Sequence, residues 1–482
     1  MEGGKNRIIT ALGVLMSFTA VSHGSDIIGR YISYGSPYRE MLAYCYANPA
    51  LMQCRADSSL TSISVALRGI SADGVVDPQR GAGSAGWLFN AETYTKYKSS
   101  TLCGSASYNH EKNFDVVWNE TADIDIVYPY VTADSVGGAI TGEVYSFQGG
   151  YADGHGRWKW GITADYKAGL YYRKVDPRPR NVSGLLHISA GAAFSVIHGY
   201  DAALAIDFRK YRQSSDIEFK SELGVEKIYH LTGLGTRYKR FDGLGASSYY
   251  DGAEYGVSLT LFPSATAGAV ASVDLSRFSF HKVLVDLNKL PLVDVRHDRL
   301  HASAGWRGHN GMNRWCLLAD VDCYHRVGTE NIFGSAAVSN YPKVGEIETY
   351  FDTRTLAGVH GLWQYMLRYG GYVALSARLE YARRKQQHAV AGIVLYENTF
   401  SPSLNVSMAI PLGKRFAMKS QIFAYADLAS RDSRSLRCGF MAETIYRISS
   451  RYALGISAQG SAARIAGDVN SLAGTAAVSF YL

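Results

Sequence analysis

No long block of like charge occurs in this chain. Charged residues make up 19% of 482, and the net charge of +7 is spread over the whole length. A nucleic-acid footprint gathers its basic residues on one face or helix, so no nucleic-acid partner is expected. Beyond the first two dozen residues no apolar run approaches the ~20 residues that a spanning helix needs. The six cysteines form no C-x-x-C pair and no His/Cys zinc spacing, which argues against thiolate-bound metal. No blade-length or Greek-key repeat is visible.

What the sequence does have is tyrosine and glycine, 34 and 49 residues respectively. Tyrosine suits a boundary between apolar and aqueous phases, and glycine suits tight turns and close strand packing. Residues 1–24 read as a cleaved export signal. Lys5 and Arg7 precede an apolar run from Ile8 to Val21, and Ser22 and Gly24 supply small residues at the cut. The alternative, a membrane anchor, needs a longer run. No cysteine directly follows the cut, so a lipid anchor is not expected. An exported chain meets oxidising conditions. Cys45 and Cys54 are close enough in sequence to pair, although six cysteines allow many connectivities.

Residues 25–57 do not alternate and read as a short helix or coil ending at Asn48–Pro49. From Leu60 onward apolar residues recur at every second position. Thr61, Ile63, Val65 and Leu67 oppose Ser62, Ser64, Ala66 and Arg68. Leu186, Ile188, Ala190, Ala192 and Phe194 oppose His187, Ser189, Gly191 and Ser195. The final residues place Leu472, Gly474, Ala476, Val478 and Phe480 on one face. Short connections, near 98–100, 153–156 and 308–313 for example, alternate with long ones, such as 69–83, 112–139, 213–252, 281–296 and 384–400. Trp158, Trp160, Trp306 and Trp315 flank short turns as an interfacial girdle would. This pattern predicts an all-β fold, a transmembrane up-and-down antiparallel barrel over 58–482. About 18 strands are expected, within a range of 16 to 20, with short periplasmic turns and long external loops. Its environment is outer-membrane lipid, and its terminal strand, with Phe480 and Tyr481, suits the outer-membrane insertion machinery.

One strand shows the logic. In RWKWGITADYKAGLYYRKVDPRPR, Trp158, Trp160, Ile162, Ala164, Tyr166, Ala168, Leu170 and Tyr172 fall on one side. Arg157, Lys159, Asp165, Lys167 and Arg173 fall on the other. A Lys or Arg near the bilayer midplane costs roughly 2–4 kcal/mol, so the charged set is expected in the lumen. There it selects anions or binds an acidic ligand, or else braces the wall as a network of Asp, Arg and Lys. The prolines of VDPRPR are expected to end ladder pairing.

Three stretches, VVWNETADIDIVYPYVTADSVGG (116–138), VDPRPRN (175–181) and GTENIFG (328–334), resemble a Bacteroidetes-type outer-membrane β-barrel family of unknown function. The resemblance runs through nearly the whole chain after the leader. It implies a shared fold and location, with no activity or functional residue to carry over. More narrowly, Ala47, Asn48, Pro49 and Ala50 are similar to the Asn-Pro-Ala motif in the N-terminal hatch of long-chain fatty-acid transporters. That likeness implies that residues 25–57, with Asn48 and Pro49, plug the lumen; the alternative is a periplasmic extension.

No catalytic set emerges, and no enzyme is expected. His187 with Ser189, and His301 with Ser303, share strand faces, but an active nucleophile also needs a base in reach and an orienting third group, and Ser and His are expected in any polar lumen. His297 and His301 are ~13 Å apart along a strand, too far to share one ion. Asp320 and Asp322 read as solvated lumen carboxylates. No cofactor or metal is expected. Two readings remain: a channel or transporter for a small solute, or a non-conducting plugged barrel serving as accessory to another outer-membrane protein or transporter.

Overall fold

Successive strand residues point to opposite faces, so each alternating segment offers one side to hydrocarbon and one to water. In the computed structural model eighteen strands, from Leu60–Ala72 to Val469–Tyr481, form one antiparallel sheet in which each pairs with its sequence neighbours. The sheet closes where the first strand meets the last, from Ser62 opposite Tyr481 to Ala72 opposite Ser471. Closure is what hydrocarbon demands, because it cannot satisfy an open edge. The structure describes residues 26–42, 47–196, 199–221, 228–264, 267–336, 340–429, 434–465 and 469–482. The expected leader and Cys45 lie outside these residues. Cys54 is a free thiol among them. No described helix is long and apolar enough to cross a membrane.

Short turns at 98–99, 156–157 and 311–312 gather at one end, and the connection 117–137 and the residues 219–221 and 228–247 lie at the other. Trp158, Trp160, Trp306, Trp315 and Trp363 ring the short-turn end on the outer face, each between 41% and 60% exposed. That end is the periplasmic one by the rule for outer-membrane barrels.

Several connections are shorter than the sequence suggests. The loop expected over 384–400 shrinks to 389–392, because Tyr372–His388 and Ile393–Leu412 stay paired up to His388 opposite Ile393. The one expected over 281–296 shrinks to 285–289. Above the lipid both faces of a strand meet water, so hydropathy stops alternating while the hydrogen-bond ladder continues. Pro179 likewise lies inside the strand Arg178–Ser195, opposite Ile217. It is the second residue of that strand, where a missing N–H costs little, and its carbonyl accepts from the Arg173 N–H at 3.2 Å. The short connection expected near 153–156 is not itself the turn. The strand Gly138–His155 runs through it, leaving only 156–157 as the bend.

Candidate functional site: the lumen and its two covers

The periplasmic cover is built from residues 26–42 and 47–57. The helix Ile27–Tyr34 buries Ile27, Ile28, Tyr31 and Ile32, and a 3-10 turn, Pro49–Cys54, buries Pro49, Ala50, Leu51 and Met52. Ile27, Ile28, Tyr31, Ile32, Ala50 and Leu51 form one cluster with inward residues from many strands, including Ala193, Ala203, Val270, Leu318, Ala374, Ala409, Ala417 and Ala453, while Met52 packs in a second, smaller one with Ala56, Tyr94 and Ala152. Small residues on the inner wall at this level leave the room that the segment fills. Polar ties reach widely separated strands. Tyr31 donates its hydroxyl to Glu443, Ser36 to Gln364 at 2.8 Å and Tyr372 to the Gly35 carbonyl at 2.9 Å. Tyr94 donates to the Met52 carbonyl at 3.1 Å.

Asn48 and Pro49 sit at the tightest contact. The Asn48 side-chain oxygen accepts from the Ala50 N–H at 3.0 Å and so caps the 3-10 turn. A Cβ at Gly161 would lie 2.3 Å from the Pro49 carbonyl oxygen, and one at Gly191 would lie 2.3 Å from Asn48 Oδ1. Gly161 and Gly191 face each other on adjacent strands, so together they form a seat without side chains under the Asn-Pro turn.

The external cover is made by the two long loops. Thr132–Ala133 pairs with Tyr229–Gly233, which pairs with Thr236–Arg237. The Tyr130 carbonyl accepts from Tyr250 at 2.9 Å and from the buried Lys282 Nζ at 3.1 Å, and the Tyr128 carbonyl accepts from Arg326. All three stretches that resemble the unknown-function family converge here. Asn181 donates to the Glu120 carbonyl at 2.9 Å. Tyr238 donates to the Asn331 carbonyl, and Arg240 to the carbonyls of Phe333 and Gly334.

Four of the five charged residues expected in the lumen lie on the inner face, and each has a partner. Lys159 pairs with the buried Asp201 at the periplasmic end. Asp165 lies 3.1 Å from His187 Nδ1, whose Nε2 is 3.0 Å from Asp207. Lys167 pairs with Asp123 of the external cover at 2.6 Å. Arg173 Nη2 lies 2.8 Å from Glu120 and Nη1 3.5 Å from Asp134, all three buried. Arg157 departs from the expectation. It sits in the turn, its guanidinium 4.9 Å over the outward Phe194 ring and its Nε donating to the Ser195 carbonyl at 3.0 Å. A turn residue is not bound by strand alternation, so it folds back onto the outer rim.

The partners Glu120, Asp123 and Asp134 are the residues that strand periodicity misses. The available signal was an apolar run, IDIVYPYV, set among acids in a segment that does not alternate. Burial, then the neighbouring Asp134, pushes the Glu120 carboxyl well up. Desolvation would raise Asp134 too, but hydrogen bonding to Glu120 and to the N–H of Gly137 holds it below its usual range.

His230, also in the external cover, is pushed down to about 3 by burial and then by the neighbouring Lys282. It therefore stays neutral when folded, and the stability tied to it is present above ~6.5 and lost as pH falls toward its folded value. Protease sensitivity of the cover should thus rise between pH 6.5 and about 4, at up to ~1.4 kcal/mol per pH unit. Glu120 works in the opposite sense, so the measurement is the difference between wild type and His230→Gln. Equal pH profiles would remove His230 from the account.

Between the covers lies a wet, charged belt. Asp165 is 35% and Arg299 51% exposed at the side chain. Arg299 donates to Asp322 at 2.8 Å, and Arg384 grips Asp352 through two bonds of 3.0 and 2.6 Å. Among the described residues no group of three His, Cys, Asp or Glu is placed to hold a metal ion.

A closed eighteen-stranded antiparallel barrel with a tryptophan girdle, a polar interior and a packed periplasmic end defines an outer-membrane-type β-barrel. The chain belongs to the family of unknown function designated DUF6850, whose profile matches residues 49–482. That match assigns no Bacteroidetes source and no fatty-acid transporter relationship. No curated protein matches the sequence. In fold the chain is similar to the copper transporter OprC, with 8% identity and a TM-score of 0.45 over 88% of this chain and 80% of that one. It is also similar to the siderophore receptor PirA from Pseudomonas aeruginosa (8%, 0.39, 87% and 80%). The CymD monoaromatic hydrocarbon channel is a third likeness (10%, 0.35, 95% and 97%). Likenesses at this level bear on neither cargo nor site.

Proposed function

We propose that the protein is an outer-membrane passage barrel for a small polar solute, held shut at rest by its N-terminal segment. The observation that carries this reading is the unequal reach of the two covers. The N-terminal segment packs on strands all round the ring, from Leu60 through Ala193 and Leu362 to Tyr481. The contacts described for the external cover with strand residues fall on one part of the ring, from Lys167 to His388, and its loop 117–137 also bonds the connection 73–82 through Pro78, Gln79 and Arg80. On the other side the inner faces keep solvent access. Arg437 and Gln459 are exposed, and each lies on the same face as Glu443, which Tyr31 reaches inside the barrel. Water therefore has a route from the external mouth down to the N-terminal segment. Passage requires that segment to move, and the seat at Gly161 and Gly191 gives it a defined closed position, as a hatch needs. Asp165, Lys167 and Arg173 brace the wall and its external cover rather than select ions, since each is already paired.

Proteoliposome swelling tests this. Vesicles with the intact barrel should be nearly tight to small sugars and amino acids, and vesicles with a barrel lacking residues 26–57 should swell. Tight vesicles in both cases would favour a non-conducting accessory barrel.

A further inference from the structure

A charged row crosses the outer surface where the apolar band ends on the external side. Across adjacent strands Tyr255 stands opposite Arg277, Arg277 opposite Asp298, Asp298 opposite His325, His325 opposite Thr353, and Thr353 opposite Lys385. One step toward the periplasm the same strands carry Val257, Leu275, Leu300, Cys323, Thr355 and Arg383, again in register. A groove of about 850 Å³ runs between the two rows, with Arg277 and His325 on its upper wall and Leu275 and Leu300 on its lower one.

The height of this groove identifies its surroundings. His325 lies ten residues along the strand from Trp315 of the girdle. At ~3.3 Å per residue and ~40° of tilt that is about 25 Å, the height of the apolar band. The groove therefore sits at the headgroup level of the outer leaflet.

Its charge is lopsided. Arg277 and Arg296 share one carboxylate, Asp298. Arg383 and Lys385 have no carboxylate within ion-pair reach among the described residues, and Lys385 rests over the Tyr396 ring. Four cations against one anion, three of the cations above a wall of Leu and Val and Arg383 at its end, match an amphiphile whose head is anionic and whose tails are apolar. A guanidinium fork suits phosphate oxygens in particular.

We propose that this groove and the cations beside it bind the phosphorylated headgroup of an outer-leaflet glycolipid, with phosphates on Arg277 in the groove and on Arg296, Arg383 and Lys385 beyond its lining, and acyl chains lying over Leu275 and Leu300. The inference rests on the outer-membrane placement of the barrel and is independent of what crosses the lumen.

Native mass spectrometry of the full-length barrel in detergent, with added lipid A or its phosphate-free counterpart, tests the proposal. Wild type should retain lipid A at least about tenfold better than the phosphate-free form. The combined Arg277→Gln, Arg296→Gln, Arg383→Gln and Lys385→Gln variant should lose that preference while keeping the heat-dependent gel shift of a closed barrel. Equal retention of both lipids by wild type would overturn the proposal, as would an unchanged preference in the folded variant. Displacement of lipid A by equimolar inorganic phosphate would make a free anion the ligand and overturn the lipid assignment. If the variant does not fold, the wild-type comparison of the two lipids still decides.

Discussion

Replacing Gly161 with Val should free the N-terminal segment from the wall while leaving the barrel closed. Valine is a good strand residue, and position 161 projects into the lumen, away from lipid, so the ladder itself tolerates it. The segment does not. A Cβ at 161 would stand 2.3 Å from the Pro49 carbonyl oxygen, which is backbone and has no rotamer with which to yield. Overpacking of this sort costs roughly 1–3 kcal/mol, enough to change a closed-to-open ratio by about 5- to 150-fold. Protease nicking within residues 26–57 should rise by that order, with the heat-dependent gel shift unchanged. Asn48→Ala is the milder companion. It loses the cap on Ala50, worth about 0.5–2 kcal/mol, but creates no clash, so its nicking should rise less. Protection equal to wild type in Gly161→Val would mean that the Asn-Pro turn is not held at this seat.

Arg173→Ala should release the external cover, the second large effect. The guanidinium is buried with the Asp134 carboxylate and the Glu120 carboxyl group. Removing one member of a buried ionic set costs about 3–5 kcal/mol, because the remaining charge is left without compensation. The effect should concentrate in the loop 117–137, read as faster hydrogen exchange or cleavage there, with the strands below unaffected. Adding Glu120→Gln and Asp134→Asn to Arg173→Ala should recover most of the loss, since neutral amides can stay buried at lower cost. If the triple variant is as loose as the single one, ionic compensation is not what holds the cover.

Strand number, and the inner and outer faces of the strands read residue by residue, were legible in the sequence because a period of two maps directly onto opposite faces. The strand at Trp158–Tyr172 places Trp158, Trp160 and Ile162 outward, and Lys159, Asp165 and Lys167 inward, as the alternation implies. The limits of that signal are physical. It fails at Arg157, where a turn breaks the alternation. It also fails above the lipid, where Tyr372–His388 keeps pairing with no hydropathy contrast to mark it. The charged residues of the lumen were visible, but their partners were not. Glu120, Asp123 and Asp134 reach Lys167 and Arg173 only because a loop folds back into the mouth. Asn48 and Pro49 were visible as a break in pattern and a short resemblance. What gives them a fixed position is the pair of glycines on strands more than a hundred residues later, which no local pattern links to them.

The most direct test of the central idea, that the N-terminal segment is what closes the lumen, is planar-bilayer conductance of the purified barrel with and without residues 26–57. The intact protein should be silent or open only briefly, and the shortened protein should show steady conductance through its uncovered side. Steady conductance in the intact protein, or silence in both forms despite a closed and inserted barrel, would contradict it.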